Sequence, residues 1–76
     1  MNNTVRQHKI RHINHKEFRN LKHNDIVYVM IGNRYYQSRV VGSPFYNADA
    51  DEPDWEVQTT NGFCDEYSLY IAVSNR

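Results

Sequence analysis

Two short turn sequences set the architecture of the second half of the chain. Gly32-Asn33 and Asn61-Gly62 each lie between strand-length segments in which apolar and polar side chains alternate. Glycine in the first central position favours a type II′ hairpin turn, and Asn-Gly is the pair that favours type I′. The sequence therefore predicts two antiparallel hairpins and a mainly β fold.

Five strands are expected around these turns. Both faces of Ile26–Ile31 are apolar, which is typical of a central strand covered on both sides. The next strand is expected to point Tyr36, Ser38 and Val40 inward. Pro44 and Pro53 lack an amide donor and indicate one long loop over residues 42–53. The expected strands are residues 26–31, 34–41, 54–60, 63–67 and 71–73, with a tight turn at residues 68–70.

A short helix is expected before the first strand. Asn14-His15-Lys16-Glu17 has the form of a capping box, in which Asn14 and Glu17 each accept the other's backbone N–H. Ile13 before the cap and Phe18 after it fit a hydrophobic staple, and the helix is expected over about residues 15–22. Residues 1–12 are polar and basic, and form either a flexible arm or one edge strand.

This order of elements resembles the small SH3-like barrels of the Tudor and KOW type, over about residues 25–73. Asn24 stands where such barrels often have a glycine. The resemblance implies an α+β, mainly β fold: a five-stranded barrel in one domain (residues 14–76), preceded by the short helix and a basic arm (residues 1–13). The matching segments are Asp25-Ile26-Val27-Tyr28-Val29, Tyr35-Tyr36 with Ser38 and Val40, Trp55-Glu56-Val57 with Asn61-Gly62, and Leu69-Tyr70-Ile71.

The resemblance also implies two kinds of aromatic site. Tudor-like barrels hold methylated lysine or arginine in an aromatic cage by cation–π attraction. The positions that such a cage implies here are Tyr28, Tyr35, Tyr46 and Phe63. In KOW-like barrels comparable surfaces stack on bases or dock other proteins.

The formal net charge of zero hides a split along the chain. Residues 1–23 carry six lysines and arginines against one glutamate, a net charge of +5, together with all four histidines. Residues 24–76 carry three arginines against eight acids, a net charge of −5. Such asymmetry indicates a charged partner.

Composition excludes several classes. The longest apolar run, Ile26–Ile31, is too short to span a membrane, and the N-terminus lacks the apolar core of a secretory signal. Cys64 is the only cysteine, so no intrachain disulfide is expected, and the cytoplasm is the expected compartment.

The basic segment predicts a nucleic-acid-binding module, with RNA and DNA both open. Exposed tyrosines, Tyr35 among them, would stack on bases. If all six lysines and arginines of residues 6–22 contacted phosphates, the salt slope on duplex DNA would be roughly −5. The expected phosphate contacts are Lys9, Arg11, Lys16, Arg19 and Lys22.

An alternative is a protein-binding inhibitor or adaptor. The acidic stretch beside aromatic residues in segment 45–56 suits a basic partner surface. The expected contacts are Phe45, Tyr46, Asp49, Asp51, Glu52 and Asp54. Nine asparagines against three alanines and two leucines hint at an AT-rich genome such as that of a phage or mobile element. The oppositely charged halves also suggest a homodimer that pairs head to tail.

Metal binding and catalysis are not expected. His8, His12 and His15 would share one helix face only if the helix began before Asn14, and His23 or Cys64 would then supply a fourth ligand. The acidic loop lacks the EF-hand pattern. Neighbouring carboxylates disfavour a Cys64 thiolate, so we expect a non-enzymatic protein with no cofactor and no metal.

Overall fold

The computed structural model describes residues 9–73, which contain one open antiparallel sheet of six strands. The strands lie side by side in the order β1-β6-β2-β3-β4-β5. The mainly β prediction is confirmed. In chain order the elements are β1 (Ile10–His12), α1 (His15–Arg19), β2 (Ile26–Ile31), β3 (Arg34–Asn47), β4 (Asp54–Thr59), β5 (Gly62–Cys64), a 3-10 turn (Glu66–Ser68) and β6 (Leu69–Ala72).

The sixth strand comes from the segment that the sequence assigned to the arm. β1 is an edge strand that pairs with β6, and the backbone N–H of Ile13 donates to Leu69 O at 3.1 Å. Ile13 is buried in the core. Of the two alternatives for this segment, residues 10–12 are therefore an edge strand, while residues 1–8 lie outside the described residues.

The capping box is confirmed, but the helix is shorter than predicted. Asn14 Oδ1 accepts from the Glu17 N–H at 2.8 Å, and Glu17 Oε1 accepts from the Asn14 N–H at 3.0 Å. The helix ends at Arg19 rather than near Lys22. Asp25 accounts for the difference, because its carboxylate accepts from the Lys22 N–H at 2.8 Å and fixes a turn there.

β3 is the longest strand and corrects the predicted loop over residues 42–53. Its pairing with β4 shifts between Val41 and Phe45 and then continues to Asn47. Gly42 has a φ of 92° within this irregularity. Pro44 is tolerated there because a bulge interrupts the hydrogen-bond ladder that proline would otherwise break. The loop between β3 and β4 is therefore confined to residues 48–53.

Both hairpins form, but one turn differs from the prediction. Gly32 has a φ of 64°, as the first central position of a type II′ turn requires. The predicted type I′ turn at Asn61-Gly62 is wrong, because that turn needs a positive φ at both residues. Gly62 has a positive φ but Asn61 does not, since Asn24 is the only non-glycine residue with a positive φ in residues 9–73. The loop residues are Thr60 and Asn61, since Gly62 already pairs with Thr59.

The last strand starts earlier than expected. Asp65 ends β5 by capping the 3-10 turn, and its Oδ1 accepts from the N–H groups of Tyr67 and Ser68 at 3.0 and 3.1 Å. β5 therefore ends at Cys64 rather than near residue 67. β6 begins at Leu69, two residues before the predicted start.

The core lies on one side of the sheet. Phe18 is fully buried there, whereas Trp55 and Tyr28 are only half-buried. Ser38 and Val40 point inward as expected, but Tyr36 is exposed. The core side chains are Ile13, Phe18, Leu21, Val27, Val29, Val40, Val57, Cys64 and Leu69.

The prediction that β2 is covered on both faces is wrong. Val27 and Val29 are buried on the core side, but Ile26 and Met30 on the other side are 40% and 38% exposed. Phe18 of α1 packs into the core, so the helix covers only the face that carries Val27 and Val29. In the described part of the chain, no helix has the length and apolar character that a membrane crossing needs.

Candidate functional site

The uncovered face of strands β1, β6, β2 and the first half of β3 is the principal candidate site, and is called the open face here. Directly paired residues share a face, and alternate residues along each strand follow. The register places ten side chains on it: Ile10, His12, Ile26, Tyr28, Met30, Tyr35, Gln37, Arg39, Tyr70 and Ala72.

Three aromatic rings cross the open face and are called the aromatic ridge. The ring centroids of His12 and Tyr70 lie 4.1 Å apart with a tilt of 33°. Those of Tyr70 and Tyr35 lie 4.9 Å apart in an edge-to-face arrangement. Since β2 lies between β6 and β3, Tyr70 and Tyr35 reach toward each other across β2.

The environment of the ridge fixes its geometry. His12 Nε2 donates to the carbonyl oxygen of Tyr67 at 3.0 Å, which orients the imidazole ring. Burial raises the pKa of Tyr70, with a further contribution from the nearby Tyr35 phenol. Tyr35 is 48% exposed, so part of its ring surface is accessible to a ligand.

The open face carries no carboxylate among its ten side chains. Its only permanently charged residue is Arg39, and a shallow hollow beside Arg39 is lined by Ile26, Gln37, Ser38 and Thr60. Lys9 is exposed just before the edge strand β1. This charge distribution suits an anionic or aromatic ligand better than a basic one.

Two cations of the predicted nucleic-acid set already have partners within the chain. Arg11 forms a bidentate ion pair with Glu17, with N–O distances of 2.9 and 2.6 Å. This pair, with the Asn14 N–H, lowers the pKa of Glu17 from 4.5 to about 2. The Arg19 guanidinium lies 4.0 Å from the ring centroid of Trp55. Arg11 and Arg19 are thus less available to phosphates than the sequence implied.

The remaining helix cations lie away from Tyr35. Lys16 and Lys22 are exposed, and neither ion pair in residues 9–73 involves them. However, α1 packs through Phe18 on the core side of β2, while Tyr35 lies on the open face. The structure does not bring the predicted cations and Tyr35 together into one surface.

The described histidines have separate roles. His12 belongs to the ridge, and His15 Nδ1 lies 2.6 Å from Glu66 Oε1. His23 Nδ1 accepts from the Gly42 N–H at 3.0 Å. The helix that would align His8, His12 and His15 is not formed, because His12 is in β1, and His8 lies outside the described residues. Within residues 9–73 no three potential ligands cluster around a metal position.

The predicted acidic-aromatic surface divides between two faces of the sheet. Phe45 packs edge-to-face on Phe63 at 6.0 Å, and Tyr46 packs similarly on Trp55 at 6.0 Å. Phe45 and Phe63 are 39% and 62% exposed. The neighbouring acids Asp49, Asp51 and Glu52 are exposed and Asp54 is half-buried, and neither ion pair in the described residues involves them.

The four-residue aromatic cage that the resemblance implied is not formed. Tyr28 and Tyr35 lie on the open face, Tyr46 contacts Trp55, and Phe63 contacts Phe45. The rings therefore occupy three separate places.

Sequence reasoning missed Tyr70, His12 and Arg39 as parts of one site. The alternation around Tyr70 indicated a strand, but the partner strands of β6 are distant in sequence. The one cysteine adds no chemistry to the site: Cys64 is buried and free, and burial, the largest cause, raises the pKa of its thiol.

Comparisons with protein-family models, curated proteins and solved structures find no match to this chain.

Proposed function

We propose that this protein is a non-enzymatic binding module that holds nucleic acid, RNA or DNA, on its open face. The observation that supports this most directly is the aromatic ridge on a sheet face without carboxylates. Aromatic side chains offer bases a stacking surface, and nearby cations offer phosphates a contact. Arg39 on the face and Lys9, exposed just before the edge strand β1, are the proposed phosphate contacts. Lys16 and Lys22 lie on the core side with α1 and would contact only a nucleic acid that extends beyond the open face.

We also propose that the fold is an SH3-like barrel. The order β6-β2-β3-β4-β5 supports this, because the last strand returns to the first of the five. The long, irregular β3 pairs with β2 through its first half and with β4 through its second, as a strand shared by two halves of a barrel does. The proposed compartment is the cytoplasm, in keeping with a free, buried Cys64.

A second candidate function is a protein-binding inhibitor or adaptor. It is supported by the exposed Phe45–Phe63 pair and by the acids at 49–52, which have no ion-pair partner in residues 9–73. A basic protein surface would be the ligand. The head-to-tail homodimer is a weaker candidate, because Arg11 and Arg19 of the basic half are engaged within the chain.

Charge reversal distinguishes the two candidate functions better than truncation does. Deleting residues 1–12 would remove β1, so it would damage the sheet as well as the arm. The first variant is Lys9→Glu with Arg39→Glu, and the matched control is Asp49→Asn with Asp51→Asn. The readout is a pull-down from lysate with and without nuclease.

If nucleic acid binds the open face, we expect the unmodified protein to retain nucleic acid and the Lys9→Glu, Arg39→Glu variant to lose it. The Asp49→Asn, Asp51→Asn control should still retain nucleic acid. A stoichiometric protein that survives nuclease and is lost only from the aspartate variant would contradict this proposal and favour the inhibitor or adaptor. Folding of both variants is checked by circular dichroism.

A further inference from the structure

We infer that the open face selects single-stranded nucleic acid over duplex. This inference rests on the proposed nucleic-acid function and names its ligand class. The relevant feature is the ridge of His12, Tyr70 and Tyr35, which lies on an uncovered sheet face rather than in a groove.

The chemistry of stacking favours unpaired bases. In a duplex each base face is covered by its neighbours, whereas a single strand can turn its bases onto a protein ring. Tyr35 is 48% exposed and its ring stands at 75° to that of Tyr70, so a base can contact the exposed part of the ring without breaking the ridge. Stacking of this kind tolerates all four bases.

The distribution of cations also disfavours a duplex on this face. Duplex binders gain most of their non-specific affinity from many phosphate contacts. The open face offers only Arg39, with Lys9 at its edge, because α1 with Lys16 and Lys22 packs on the core side of the sheet. Two phosphate contacts on a single strand would give a salt slope of roughly −1.4.

The width of the ridge sets the length of strand that it can hold. It runs from β1 through β6 and β2 to β3. Because successive ring centroids lie 4.1 and 4.9 Å apart, the rings of His12 and Tyr35 are at most about 9 Å from each other, which accommodates roughly two bases. Gln37 lies on the same face and offers an amide for hydrogen bonds to base edges.

The test uses adjacent tyrosines on opposite faces of β3. Tyr35 and Tyr36 are 48% and 43% exposed, but only Tyr35 belongs to the ridge. The variants are Tyr35→Ala, Tyr35→Phe and the control Tyr36→Ala. Fluorescence anisotropy measures binding of oligothymidylate and oligouridylate of about twelve nucleotides, and of a duplex of about the same length.

We expect both single strands to bind more tightly than the duplex. Tyr35→Ala should weaken single-strand binding roughly tenfold to hundredfold, whereas Tyr35→Phe and Tyr36→Ala should change it less than about twofold. The ratio of affinities for the thymidine and uridine strands distinguishes a DNA ligand from an RNA ligand. Between about 50 and 200 mM salt the affinity should fall less than about tenfold.

Equal binding of duplex and single strand, with Tyr35→Ala binding no more weakly than Tyr36→Ala, would overturn this inference. The proposed nucleic-acid function would then remain, with the contacts made by cations outside the ridge. Absence of binding to all three probes would overturn both. A salt-resistant dimer that Tyr35→Ala disrupts, without any probe binding, would also overturn the inference, since it would assign the face to a second copy of the chain.

Discussion

The rings of Tyr35 and Tyr70 meet at a centroid distance of 4.9 Å although a third strand separates the strands that carry them. Tyr35 lies in β3 and Tyr70 in β6, on either side of β2. The contact therefore requires both the β2–β3 hairpin and the return of β6 to β2. It reports on assembly of the sheet as well as on the candidate site.

The Tyr35–Tyr70 contact should stabilise the fold measurably. In a double-mutant cycle with Tyr35→Leu and Tyr70→Leu, we expect a coupling of about 0.5–1.5 kcal/mol in the free energy of unfolding. Urea denaturation provides the measurement. The matched cycle with Tyr36 and Tyr70 should give a coupling near zero, because Tyr36 points to the other face. Equal coupling in both cycles would contradict the ridge geometry.

Asn24 should tolerate glycine but not a β-branched residue. Its φ of 79° is left-handed, a conformation that asparagine and glycine adopt more readily than other residues. We expect Asn24→Gly to be neutral within about 0.5 kcal/mol and Asn24→Val to cost about 1–2 kcal/mol of stability. Asn20→Val is the control, since exposed Asn20 has a φ of −98°. A similar loss for both valine variants would disprove the backbone explanation.

The Arg11–Glu17 pair should make stability depend on pH in the acid range. The folded pKa of Glu17, about 2, lies below its ordinary value of 4.5. Because the pKa of Glu17 is lower in the folded protein, its carboxylate stabilises the fold fully at pH values above the unfolded pKa of 4.5. This contribution is lost as the pH falls from 4.5 through about 2. Thermal unfolding of Glu17→Gln should therefore show a shallower decline over this range. Gln retains an acceptor for the capping box, so parallel curves for the two proteins would count against the ion pair.

Cys64 should react slowly with thiol reagents in the folded protein. It is buried, and burial raises the pKa of its thiol, so the reactive thiolate is scarce near neutral pH. We expect modification by a disulfide reagent only after unfolding in urea. Rapid modification of the native protein would show that β5 opens readily or that the thiol is accessible.

Local features were predictable from the sequence, and distant pairings were not. Asn14 and Glu17 are close enough in sequence for their hydrogen bonds to be predicted from the motif. The turn at Gly32 was also predictable, because glycine readily adopts the positive φ that the turn needs. The pairing of β1 with β6 joins opposite ends of the chain, so no local pattern specifies it. Pro44 argued against a strand, but the irregular pairing of β3 tolerates it.

The candidate site was only partly predictable for the same reason. Tyr35 was identified as an exposed aromatic residue, and the structure supplies Tyr70 and His12 as its neighbours through non-local strand pairing. Arg11 and Arg19 are predicted from the sequence to contact phosphates, but each has a partner that only the folded chain brings near.

Whether nucleic acid lies on the aromatic ridge is measured by an NMR titration. Aromatic carbon-proton spectra are recorded while oligothymidylate is added to the isotope-labelled protein. We expect the ring signals of Tyr35, Tyr70 and His12 to shift with increasing ligand, while those of Phe45 and Phe63 stay in place. Shifts confined to Phe45 and Phe63, or unchanged ring signals at a saturating concentration of ligand, would contradict this expectation.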